Sequence, residues 1–80
     1  MTQETPLALV AEDEPQMAEM IAFILESEGL RVTTVHDGLQ ARQVWQRGDV
    51  DIAVLDVGLP GMDGLELCRE IRAAGSLPVL

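Results

Sequence analysis

Glu12, Asp13 and Glu14 stand together directly after the apolar run Leu7-Ala8-Leu9-Val10-Ala11, and Asp56 directly after Ile52-Ala53-Val54-Leu55. Runs that are apolar throughout, rather than alternating, read as strands of a parallel sheet covered on both faces. Ligands bind such sheets outside the carboxyl ends of the strands. The acids that follow these two strands therefore lie where chemistry is done. Carboxylates gathered at one edge repel one another unless a cation lies among them. The pattern asks for a divalent metal.

The elements that must position these acids alternate along the chain as strand, helix, strand, helix, strand, helix, strand. Leu7 to Ala11 forms the first strand. Pro15 suits the first turn of a helix, where its missing amide proton costs nothing. Met17, Met20, Ile21, Ile24 and Leu25 recur at three and four residues, an apolar stripe running to about Glu28. Gly29 ends it. Arg31 to Val35 carries Thr33 and Thr34, as suits a strand at the sheet edge. Asp37-Gly38-Leu39-Gln40 reads as a capping box opening a second helix that Gly48 closes. Leu39, Ala41, Val44 and Trp45 are its expected buried face. A third strand covers Asp51 to Asp56. The turn Val57-Gly58-Leu59-Pro60-Gly61-Met62 follows, and Asp63 caps a third helix that runs to about Ala74. Pro78-Val79-Leu80 opens a fourth strand. Single helices between strands predict right-handed crossovers and a parallel α/β sheet.

Composition narrows the function classes. Eighty residues make one small domain. A net charge of −9 argues against direct nucleic-acid binding through a basic face. All five basic residues are arginines (Arg31, Arg42, Arg47, Arg69 and Arg72), and lysine is absent from the sequence. Cys68 is the only cysteine, which excludes an intrachain disulfide or a cysteine-rich zinc site and leaves it as a small core residue. No apolar run approaches the ~20 residues that span a bilayer. No signal peptide is visible, so a cytoplasmic location and no membrane partner are expected.

At this level of detail the chain resembles the receiver domain of two-component response regulators. The residues that carry the likeness are Ala8-Leu9-Val10-Ala11-Glu12-Asp13-Glu14-Pro15, then Asp37-Gly38, then Leu55-Asp56-Val57-Gly58-Leu59-Pro60-Gly61-Met62-Asp63-Gly64. The resemblance spans about Leu7 to Leu80. It implies a flavodoxin-like doubly wound parallel sheet of strand order 2-1-3-4-5, with the first and third strands adjacent. Asp13 and Asp56, 43 positions apart, would then meet. It further implies that Asp56 accepts a phosphoryl group from a histidine kinase. Mg²⁺ would be bound by Asp13, Asp56 and the Gly58 backbone carbonyl, with Glu12 acting through water. The chemistry agrees. Mg²⁺ takes hard oxygen ligands, one or two of them carboxylates, and keeps several waters. A metal touching both the attacking carboxylate and the phosphate relieves their repulsion. Glycine at position 58 leaves room for its backbone near the ion. No turnover is implied beyond self-phosphorylation from small donors and slow autodephosphorylation.

Against the family pattern, residues 1–80 read as a partial receiver, the first two-thirds of the fold. On that reading the fifth strand and the last two helices would be absent, and with them the phosphate-sensing Ser/Thr and its lysine. The apolar face beside the first helix would then be partly uncovered, and self-association is expected. An output domain or downstream protein would be the further partner. Two other functions compete. One is an aspartyl-phosphate phosphatase of the haloacid-dehalogenase type, disfavoured because Gly58 stands where that class carries a second aspartate. The other is a non-phosphorylatable fragment kept for structure or interaction. His36 reads as a plain loop histidine, Glu14 as a solvated first-turn acid, and Asp13 as a helix cap if not a ligand.

Overall fold

The computed structural model describes residues 5–56, 58–75 and 77–79. Three parallel strands, β1 (Leu7–Ala11), β2 (Arg31–Val35) and β3 (Ile52–Leu55), form a sheet of order β2-β1-β3. Their crossovers contain α1 (Pro15–Ser27) and α2 (Gly38–Trp45), and α3 (Gly64–Ala74) follows β3. Leu7 pairs with Arg31 and Ala11 with Val35 on one side of β1, and Ala8 pairs with Ile52 and Ala11 with Leu55 on the other. The central strand is buried throughout, as its unbroken apolar run requires, whereas β2 is half exposed at the edge. At the far end of the sheet, the Asp51 carboxylate accepts from Leu7 N–H at 2.8 Å while Asp51 N–H donates to the Leu7 carbonyl at 2.8 Å.

Alternation along β1 sends its side chains to opposite faces. Leu9 and Ala11 join Val35, Ala41, Val44, Leu59, Leu67 and Ile71 in one core cluster under α2 and α3. Leu67 and Ile71, one helical turn apart on α3, are fully buried, and each contributes about 1.5–3 kcal/mol by leaving water. Trp45 packs against the cluster half-buried, as expected. Arg42 Nε lies 3.1 Å from Glu70 Oε1 between α2 and α3, but its N–H is not aimed at that oxygen. This half-exposed ion pair is worth at most about 1 kcal/mol.

Four expectations need correction. Leu39 does not belong to the buried face of α2; it is 52% exposed, and Ala41 and Val44 fill that face with Trp45. The stripe on α1 exists, but Ala18 is the helix's one buried residue among those described, and Met17, Met20 and Ile24 are exposed along with Phe23. The fourth strand is reduced to a single parallel bridge from Val79 to Ala53. It adds a hydrogen bond from Ala53 N–H to the Pro78 carbonyl at 3.0 Å; Leu80 lies outside the described residues. Cys68 is only half-buried on α3.

Candidate metal and phosphoacceptor site

The sheet ladder extends one residue past β1 and β3 and so fixes two of the acids. Glu12 N–H donates to the Val35 carbonyl and Asp56 N–H to the Ala11 carbonyl, both at 3.0 Å. Asp13 is the next residue after Glu12, before the chain turns into α1. Carboxylate oxygens of Glu12, Asp13 and Asp56 consequently lie within 4.8 Å of one another. Three expected site residues are thus brought together from two strands that the sequence places far apart. Asp13 is exposed; Glu12 and Asp56 are half-buried. Three hard oxygen donors open to solvent on one side fit a small divalent cation that keeps part of its water shell.

Electrostatics shows the strain of that gathering. The Glu12 carboxyl is held above its ordinary value, first by partial burial and then by the negative charges of Asp56, Asp13 and Glu14. A hydrogen bond from Glu14 N–H to Glu12 Oε2, at 3.2 Å, pulls the other way. That bond makes Glu12 a support for the start of α1, where Glu14 occupies the N-cap position without a side-chain cap of its own. Asp13 does not cap the helix among the described hydrogen bonds. The capping alternative for Asp13 thus has no contact behind it, and Glu14 is exposed as expected.

Gly58 lies two residues beyond Asp56, and its N–H donates to Asp56 Oδ1 at 3.2 Å. A side chain at 58 would meet open space, so sterics do not demand glycine there. The crowding is instead at Gly38. A Cβ on Gly38 would collide with the Met62 carbonyl oxygen and stand 2.6 Å from Met62 Cβ. Gly38 N–H donates to the Pro60 carbonyl at 2.9 Å, and Met62 N–H reaches the same oxygen at 3.0 Å. The sequence hinted at this only through Asp37-Gly38, which reads as a cap. His36 also approaches the site from the β2 side, with Nδ1 3.0 Å from the Glu12 carbonyl oxygen.

Comparison with known proteins agrees with this geometry. The response regulator receiver domain family matches residues 8–80, and the chain belongs to that family. It is 43% identical over 72 residues to the sensory transduction protein RegX3 of Mycolicibacterium smegmatis, covering 90% of this chain and 32% of RegX3. Among solved structures it resembles response regulator TrrA of Thermotoga maritima in complex with Mg²⁺–BeF, with TM-score 0.82 and 34% identity over 88% of this chain and 61% of that one. A second match is the complex of histidine kinase ThkA with TrrA, with TM-score 0.83, 32% identity, and coverage of 94% and 66%. The chain spans about a third of the length of RegX3. Its fold is that of CheY-like receivers, and receivers are the signalling domains of two-component systems.

Proposed function

We propose that Asp56 is the phosphoacceptor of this receiver, taking a phosphoryl group from the phosphohistidine of a histidine kinase. The observation that carries the reading is the convergence of Glu12, Asp13 and Asp56 carboxylates within 4.8 Å at the carboxyl ends of β1 and β3. An Asp56 carboxylate oxygen attacks phosphorus, the P–N bond to the imidazole breaks, and an acyl phosphate remains on Asp56. The Gly58 N–H on Oδ1 fixes the carboxylate's rotation. Asp13, Asp56 and the Gly58 carbonyl would hold Mg²⁺, with Glu12 reaching it through water. When bound, the ion neutralises charge on both the carboxylate and the incoming phosphate oxygens.

TrrA supports the reading on two counts, since it binds Mg²⁺–BeF and it pairs with a histidine kinase. With it we infer Mg²⁺ as cofactor, self-phosphorylation from small donors, slow autodephosphorylation, a cytoplasmic setting, and an output domain or downstream protein as the further partner. No helix among the described residues is long and apolar enough to cross a membrane.

Intact mass after incubation with acetyl phosphate, with and without Mg²⁺, tests it beside Asp56→Asn. A single phosphoryl adduct that requires both the metal and Asp56 is expected. A folded chain that gains no adduct would instead mark these residues as an interaction fragment of the receiver fold.

A further inference from the structure

The loop that carries Gly58 is fastened at its far end, and the fastening is to α2. Downstream of Gly58, Leu59 is buried in the core cluster, the Pro60 carbonyl accepts from Gly38 N–H, and Met62 packs its backbone against the bare Cα of Gly38. Gly61 adopts φ +84, a left-handed turn, with the Asp37 side chain in ordinary contact beside the place a Cβ would occupy. Upstream, Asp56 is fastened to β1 through the Ala11 carbonyl. Gly58 lies between these anchors, exposed, with its N–H bonded to Asp56 Oδ1 and open space where a Cβ would stand.

We propose that Gly38 is a positioning residue for the metal site: its lack of a side chain lets α2 clasp residues 60–62 and thereby sets the direction of the Gly58 carbonyl. The inference rests on the reading of Gly58 as a metal ligand. A methyl at position 38 cannot be accommodated by a side-chain rotation, because the nearest obstacle is the Met62 backbone. The loop must move away, and Gly58, joined to the clasp through Leu59 and held among the described residues by its N–H bond to Asp56 Oδ1, is displaced with it. A support of this kind acts through another group, as outer partners of metal ligands do.

The test titrates Mg²⁺ into the chain and into Gly38→Ala, with Gly48→Ala as the control. Gly48 has φ +88 and open space around it, so alanine there strains the backbone far from the loop. Gly38→Ala is expected to weaken Mg²⁺ binding about tenfold, while Gly48→Ala loses stability and keeps its Mg²⁺ affinity. Should Gly38→Ala fail to fold, amide exchange in the unaltered chain supplies the second readout. Coupling between two sites is reciprocal, so saturating Mg²⁺ must slow exchange of the Gly38 amide and leave the Gly48 amide, bonded to the Trp45 carbonyl, unchanged. Equal Mg²⁺ affinity in folded Gly38→Ala, or Gly38 exchange indifferent to Mg²⁺, overturns the clasp alone. An unaltered chain that binds no Mg²⁺ overturns the metal-site reading beneath it.

Discussion

Charge repulsion among Glu12, Asp13 and Asp56 sets what single substitutions do to the metal-free protein. Unit charges about 4 to 5 Å apart in a water-like medium repel by about 1 kcal/mol, and Asp13 is exposed. Asp13→Asn is therefore expected to stabilise the chain in chelator by up to about that amount while weakening Mg²⁺ binding. Thermal unfolding in chelator checks it, and a lower midpoint would mean that the Asp13 charge supports the start of α1 through the helix dipole. Glu12 gives the repulsion a pH signature. Its carboxyl is raised in the folded state above the ordinary 4.5, so the folded chain holds that proton to higher pH than the unfolded one. The ionised form costs stability at neutral pH, and the cost is relieved as pH falls through the raised value toward 4.5. Glu12→Gln keeps an oxygen for Glu14 N–H and removes the charge. Its midpoint should exceed that of the unaltered chain at pH 7, with the gap closing on acidification; a gap independent of pH would assign the effect to packing. Much of this site was legible beforehand, because acids after two continuously apolar strands have one place to go in a parallel sheet. Gly58 was legible only as a position. The crowding that demands glycine sits at Gly38, and only the meeting of α2 with the Pro60-Gly61-Met62 turn, 22 to 24 positions further on, reveals it.

Elements announced themselves where a local rule was strong enough to act alone. Asp37 Oδ1 accepts from Gln40 N–H at 2.7 Å, as a cap should. The reciprocal arm is displaced by one residue: Gln40 Oε1 takes His36 N–H at 3.2 Å rather than that of Asp37. Asp63 caps α3 through Leu65 N–H at 3.0 Å, and Gly29 and Gly48 turn with positive φ beyond α1 and α2. Each of these devices works within four residues, so sequence spacing suffices to place it. Burial does not work that way. The periodicity of Met17, Met20, Ile21, Ile24 and Leu25 shows that α1 has an apolar side, but periodicity carries no information about what lies opposite. In the fold α1 lies against β1 and β2; of its residues Ala18 is buried, Ile21 and Leu25 are half-buried, and Met17, Met20 and Ile24 of the stripe are exposed. Leu39 fails for a related reason. At the first turn of α2 it lies near Gly61, at the rim of the clasp rather than over the sheet.

For the whole molecule the consequence is a lopsided surface. One face of the sheet is sealed by α2 and α3 over a continuous core, while on α1 Met17, Met20, Phe23 and Ile24 are 41 to 72% exposed. Clustered apolar side chains of this size on one helix favour association once contact removes them from water, at about 25 cal/mol for each Å² buried. The net charge of −9 opposes it, and α1 adds Glu19 and Glu26 with no basic residue to offset them. The two terms differ in their response to salt, because screening shortens the reach of the charge, with a Debye length near 10 Å at 0.1 M, and leaves apolar burial in place. The 80-residue chain is thus expected to be closest to monomeric at low ionic strength and to grow in mass as salt and protein concentration rise. Light scattering across both series measures it. Phe23→Glu, at the most exposed apolar position, should hold the mass at that of a monomer under conditions where the unaltered chain associates. A monomeric mass for the unaltered chain at high salt and high concentration would show that the α1 face is too small, or too heavily flanked by acids, to hold a second copy.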